Sequence, residues 1–401
     1  MFVNYTVPEH SRRRSIAITV LPLFLAALHG CATVTPKSNA DPDTIVELMW
    51  PEPPLKTRIK FLGNLASEHD LRIGRTWKED VVQFLAGGPP PFAQLANPVG
   101  IALSADAQRV YVTDLPQAKV FIFDLASKEL RSWSREETKL SGPMGIALDA
   151  DENVYIVDSY ENAVRVFDRQ GKPLRTFGHP SFHRVTQVAV DQKRGRLYVS
   201  DTAHQNVSDH RIKVFDLTGE FIKDLGNGKG DLEGHLLFPT YLSLDDKGQL
   251  YVSDTMNGRV QVFDPESGKV VAVYGERGTA FGQFERPKGV AVDSFGNVYV
   301  VDSAWANVQI FNAKGQVLLF FGGRGRYPGL MNNPTAIAID KDNRIFVADT
   351  QNFRLNMYQL VNTTAEDSFT PADAQPPTVS SSPKAASPQA AGPAQVVTGM
   401  N

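Results

Sequence analysis

Five of the eight histidines in this 401-residue chain fall between positions 179 and 235: His179, His183, His204, His210 and His235. Neutral imidazoles that converge in space can hold Zn²⁺ or a similar ion. His179, His183, His204 and His210 are therefore the candidate metal ligands, with Zn²⁺ or Ca²⁺ as the ion to look for. No HxH or HExxH spacing accompanies them, and an exposed or hydrogen-bonded loop histidine is the plainer reading. A second group is basic: Lys229, Arg277, Arg286, Lys288, Arg324 and Arg326 stand among many glycines. Such a rim suits an anionic polymer or an acidic partner, although a solvated loop is the simpler account. The run GGRG at Gly322–Gly325 resembles a phosphate loop only superficially, because neither GK(S/T) nor a helix pattern follows.

The elements that must position these side chains come from an internal repeat. A strand-like run ends in Asp at Asp114, Asp158, Asp201, Asp254, Asp302 and Asp349, at intervals of 44, 43, 53, 48 and 47 residues. A second anchor (Ser104, Asp149, Asp191, Asp245, Asp293, Asp340) precedes each by 9 or 10 residues. A third (Asp124, Asp168, Asp216, Asp264, Asn312, Gln359) follows by 10, except for 15 in the third copy. Each copy holds short β-type runs, as in GIAL, VYIV, VRVF and LRTFG of the second, separated by Asp, Gly and Asn. That pattern predicts antiparallel strands joined by tight turns. Four strands per ~40–50 residues is the pattern of a propeller blade.

The last unit, Asn333–Leu360, has only three strand runs, and Ile59–Gly63 (IKFLG) reads as a fourth strand without its blade. The expected fold is all-β: a six-bladed β-propeller closed by an N-terminal strand that completes the last blade. Within a blade, the loop between strands two and three and the loop leading to the next blade emerge on one face. The long segments 179–185, 202–211, 227–238, 276–286 and 323–333 gather there, while turns such as 151–153 and 246–248 lie opposite. Ligands usually bind where loops vary over a rigid scaffold. The candidate binding face thus carries His179, His183, His204, His210, His235, Arg277, Arg286, Arg324 and Arg326. Other repeated residues read as structural. Asp254–Arg259 and Asp349–Arg354 are spaced to face each other across a turn. Tyr155, Tyr198, Tyr251 and Tyr299 are placed to pack between blades, and Asn257 and Asn352 suit a left-handed turn position.

The pattern of Pro287–Asp293 with Val298–Asp302 and Asn307–Phe311, repeated at Asn333–Asp340, Ile345–Asp349 and Asn352–Arg354, resembles the NHL repeat. The resemblance runs from Ile59 to Leu360. It implies the propeller and leaves the activity open. Among enzymes of this repeat type, the peptidyl-amidoglycolate lyase places a metal-binding His at the start of an inner strand. The corresponding residues here are Val99, Met144, Thr240, Lys288 and Thr335, so that chemistry is not implied. Sugar-lactone hydrolases are similar in blade number and use central acidic metal ligands. The Asp residues here recur in every unit, which is the wrong pattern for one asymmetric site.

Composition is globular, with 42% hydrophobic and 21% charged residues, and a net charge of −3 gives no reason to expect nucleic acid. Residues 1–30 read as a signal peptide: Arg12–Arg14 precede an apolar run, Ile16–Leu28, too short to span a bilayer comfortably. Leu28–Cys31 resembles the bacterial lipobox, which makes Cys31, the only cysteine, the expected lipidation site. A plain secretory signal with an incidental Cys is the alternative. Ala32 after the Cys implies the outer membrane, by resemblance to Gram-negative sorting. Residues 31–56 read as a flexible tether, 57–362 as the propeller, 76–86 as a short helix on its face and 363–401 as a disordered tail. The expectation is a monomeric, non-catalytic, lipid-anchored propeller facing the periplasm that binds or scaffolds an envelope protein or polysaccharide. A metal-dependent lyase or hydrolase at the third-unit histidines is the competing one.

Overall fold

The structure, a computed structural model, describes residues 47–71, 93–204 and 206–364. The signal segment, Cys31, the expected helix at 76–86 and nearly all of the C-terminal tail lie outside the described residues.

Six antiparallel sheets, five of four strands and one of five, are arranged around one axis. The inner strands are Pro98–Leu103, Pro143–Leu148, Val185–Asp191, Pro239–Leu244, Pro287–Val292 and Pro334–Ile339. Each touches the next in that order, and the sixth returns to the first. The second strands lie between neighbouring sheets, so both of their faces are covered. Val154–Asp158, Leu250–Asp254 and Val298–Asp302 are accordingly buried at every position. Continuous apolar runs rather than alternation follow from that placement. The outermost strand Pro173–Phe177, by contrast, buries no residue.

The repeated tyrosines do sit between blades. Tyr155 packs with Val188, Leu197 and Phe215 of the following blade. Tyr198 meets Val252 and Phe263, Tyr251 meets Val300 and Phe311, and Tyr299 meets Val347 and Tyr358. Full burial of such apolar side chains is worth about 1.5–3 kcal/mol each, which makes the interblade layers the main source of cohesion.

Ring closure follows the expected route. Ile59–Leu65 pairs antiparallel with Arg354–Leu360, Ile59 opposite Leu360 and Leu65 opposite Leu355. One feature differs from the expected tether. Met49–Trp50 adds a fifth strand on Ile59 and Lys60, so residues 47–56 belong to the edge of the last blade. The reason is aromatic: the Trp50 ring lies 6.1 Å from Phe321 and 5.8 Å from Tyr358. Arg58, 1% exposed, donates to the Asn362 carbonyl at 2.5 Å and so clasps the two ends of the ring. Among the described residues no helix is long and apolar enough to cross a membrane.

The recurring Asp at the end of each second strand explains the spacing of the whole chain. All six are fully buried. Each carboxylate accepts backbone N–H groups from the segment that enters its own blade. Asp114 takes those of Ala96 and Asn97, Asp158 those of Ser141 and Gly142, and Asp201 those of His183 and Arg184. Asp302 takes those of Glu285 and Arg286. A carboxylate that satisfies two otherwise orphaned amides is a strong, charge-assisted anchor. The loops of one face are therefore fixed from beneath.

Candidate functional site

The loop-bearing face divides into a repeated part and an irregular part. In the fourth blade, Arg259 Nε lies 2.9 Å from Asp254 and its Nη2 donates to the carbonyls of Leu232 and His235. Asn257 donates to Gly230 and to Asp254, both at 2.8 Å. The sixth blade repeats the device: Arg354 Nε to Asp349 at 2.9 Å, Nη2 to Tyr327 and Leu330, and Asn352 to Gly325 and Asp349. The two Asp–Arg pairs thus face each other as their spacing required. Asn257 and Asn352 do not take the left-handed backbone expected of them. That conformation falls one residue later, at Gly258 (φ 68°) and Phe353 (φ 61°), because the Asn side chains are needed as donors beneath the loop.

Arg277 and Arg324 belong to this repeated part. Arg277 Nη1 donates to the Met256 carbonyl at 2.5 Å, and Arg324 Nη2 donates to the Ala304 carbonyl. Each ties the loop leaving a blade to the turn within it. Arg326 is exposed.

The histidines read as metal ligands are not gathered. Among the described residues no group of three or more His, Cys, Asp or Glu is arranged to hold a metal ion. His179 lies at the outer edge, with its ring 4.4 Å from Phe221 and Nδ1 on Ser181 Oγ at 2.8 Å. His183 Nδ1 is 3.7 Å from Asp201, and His204 is exposed. His210 is fully buried, and its Nδ1 accepts from the Phe238 amide at 3.0 Å. Burial, then the charge of Lys229, holds the His210 imidazole below its ordinary pKa, so it is neutral. His235 contributes its backbone carbonyl to Arg259 and Gln261. Loop length set these side chains apart: the third-blade insertion carries His204 outward while His210 turns into the core.

The channel along the axis is the second part of the site. Toward the short-turn face it holds a cavity of about 330 Å³, lined by aliphatic residues such as Leu103, Leu148 and Val292 together with Gln187, Tyr241 and Ser243. Tyr241 of the fourth blade reaches across to the first, where its hydroxyl donates to the Val99 carbonyl at 2.6 Å. Above that bar, the second residue of each inner strand forms a ring: Val99, Met144, Thr186, Thr240, Lys288 and Thr335. Lys288 is the one charged member. The strands crowd at this level. A Cβ on Gly289 would come within 2.7 Å of the Ile337 backbone nitrogen, so only glycine fits beside the lysine. Burial, reinforced by the charges of Arg286 and Arg184, pushes the Lys288 ammonium down to about 8.

A third feature escaped the sequence reading. The loop-bearing face exposes Tyr160, Leu232, Met256, Phe281, Trp305, Tyr327 and Phe353, with Tyr160 at 70% and Tyr327 at 80%. Tyr160, Met256, Trp305 and Phe353 stand in turns directly after the buried Asp of their blades, where a polar turn residue is the usual choice. That mismatch was the available signal.

Fold and face together define a six-bladed β-propeller. Residues 236–263 match the family model for the NHL repeat, and residues 92–203 match that of the SMP-30/Gluconolactonase/LRE-like region. Among curated proteins, peptidyl-glycine alpha-amidating monooxygenase B of Xenopus laevis is 30% identical over 132 residues. The match covers 30% of this chain and 15% of that much longer protein. Two solved structures share the fold. An auxiliary nutrient binding protein from Bacteroides ovatus is 14% identical with a TM-score of 0.51, covering 66% of this chain and 69% of that one. A gluconolactonase from Xanthomonas campestris is 17% identical with a TM-score of 0.50, covering 66% and 86%.

Proposed function

We propose that the protein is a non-catalytic binding propeller that engages a protein partner through its loop-bearing face, held at an envelope membrane by a lipid on Cys31. The observation that carries the reading is the exposed set Tyr160, Met256, Trp305, Tyr327 and Phe353, interspersed with Arg326 and other basic residues on one rigid face. Tyr, Trp, Phe, Met and Arg are the residue types enriched at protein interfaces, and aromatic and Arg anchors carry most binding energy there. Against a metal-dependent lyase or hydrolase at the third-blade histidines stands their separation, His210 buried, His204 exposed and His179 packed on Phe221.

The test compares capture from an envelope extract by the wild type and by a Trp305→Ala/Tyr327→Ala variant. A specific protein retained by the first and lost by the second supports the reading. Equal capture by both overturns it, as does stoichiometric zinc or calcium that disappears on His179→Ala or His204→Ala. For the anchor, Cys31→Ser is expected to release the protein from the membrane fraction.

A further inference from the structure

Arg184 and Arg286 stand at the starts of the third and fifth inner strands and their charges act on Lys288, with no acid paired to any of the three among the described residues. None of the three side chains makes a hydrogen bond or ion pair among the described residues, whereas the other buried cations of the blades are matched. Lys213 has Asp224 at 3.0 Å, Arg259 has Asp254 at 2.9 Å and Arg354 has Asp349 at 2.9 Å. The nearest repeated carboxylates, Asp201 and Asp302, are consumed by the backbone amides of the segments that carry Arg184 and Arg286. Withdrawing an unpaired ammonium from water is costly. The fold does not require that cost, because the same ring position takes Val99, Met144, Thr186, Thr240 and Thr335 in the other five blades. The three cations are also placed to be reached. Arg184 and Arg286 are exposed at the start of the third and fifth inner strands, with Lys288 half-buried between them and the Tyr241 bar below. A point charge and two planar guanidinium forks suit a carboxylate or phosphate.

We infer that Lys288, Arg286 and Arg184 bind the carboxylate or phosphate group of a small ligand at the loop-bearing mouth of the axial channel. Tyr241 closes the floor, so only the anionic group enters and the remainder of the ligand points outward. The depressed pKa of Lys288 supports this reading, since an uncompensated cation is the state an anion would relieve. The inference rests on Lys288, Arg184 and Arg286 rather than on the exposed aromatic set that carries the partner reading, and goes beyond that reading.

The experiment is calorimetric titration of the purified protein, at fixed ionic strength, with inorganic phosphate and separately with succinate. Saturable binding of one probe is expected, and which one binds identifies the anion. Lys288→Met is expected to weaken it at least about tenfold, the scale of one charge-assisted hydrogen bond, and Lys288→Arg to restore part of it. Lys314→Ala, on an exposed turn of the opposite face, is expected to change nothing. Saturation by neither probe overturns the inference. So does equal behaviour of Lys288→Met and Lys314→Ala, which would mean diffuse attraction only. Thermal melts of each variant exclude unfolding as the cause. Partner capture by Lys288→Met, read separately, shows whether this site and the proposed face stand or fall independently.

Discussion

Two sets of basic residues share the loop-bearing face, and they do opposite things. Arg277 and Arg324 occupy matching places in successive blades, and each ends on a backbone carbonyl of its own blade. Arg184 and Arg286 fill one repeat position in the third and fifth blades and Lys288 a second, both of which the remaining blades fill with uncharged residues, and the two arginine charges act on Lys288. In sequence both sets look alike: basic, in loops or at strand starts, several of them near glycine. The difference is whether an acceptor lies within reach. What the repeat supplies with a partner is scaffold, and what it leaves without one is available for binding. The buried Asp residues make the same point from the other side, since all of them are spoken for.

The largest expected effect lies on the scaffold side. Asp254→Ala removes the acceptor for the Leu237 amide at 2.6 Å and the counter-charge of Arg259. Leaving a buried cation and amide uncompensated costs about 3–5 kcal/mol, read as a lowered midpoint in denaturant. A loss under about 1 kcal/mol would show that the lock is ornamental and that the comparison fails. The binding side predicts the reverse sign. Lys288→Met replaces a desolvated ammonium with an apolar chain of similar length, so stability should rise by about 1–3 kcal/mol at neutral pH. The direction with pH follows from the shift. The Lys288 pKa is lowered from 10.5 to about 8, so its penalty is fully present below pH 8 and fades as pH rises toward 10.5. The variant's advantage should therefore shrink between pH 8 and 10.5, as thermal melts along that range will show.

How much of this was legible in the chain depends on period. The propeller, its closure through Ile59–Leu65, the interblade tyrosines and the Asp–Arg pairs could all be read, because each repeats at a fixed spacing and repetition is visible in one dimension. The strand at Met49–Trp50 was not, since two residues carry no period and only the rings of Phe321 and Tyr358 hold them. Nor could the fate of the histidines be read. His179, His183, His204 and His210 are close in sequence, but strand direction and the five-residue insertion send them to the outer edge, the loop and the core. Tyr241 and its bond to Val99 join residues 142 apart, a contact no local pattern encodes.

The third blade offers a finer contrast, because its irregular loop leads a titratable ring, His210, into full burial. His210 is held neutral, with its pKa lowered chiefly by burial. A base that protonates less readily in the folded state makes stability fall as pH drops through its unfolded value of 6.5. The melting temperature of the wild type should decline between pH 7 and 5.5 more steeply than that of His210→Gln. Parallel curves would mean that the ring is freely protonated where it sits.

The smallest effect separates the two basic sets most directly. Arg277 is exposed and makes one carbonyl bond, so Arg277→Ala should cost about 0.5–1 kcal/mol of stability and leave phosphate or succinate binding untouched. Arg286 has no such bond, so Arg286→Ala should leave stability unchanged or slightly raised, by easing the field on Lys288, while anion binding weakens. The two substitutions are chemically identical, lie nine residues apart and differ only in what surrounds the side chain. Their effects should therefore cross, one in the melt and the other in the titration. If both variants moved the same measurement, position in the repeat would not distinguish scaffold from site.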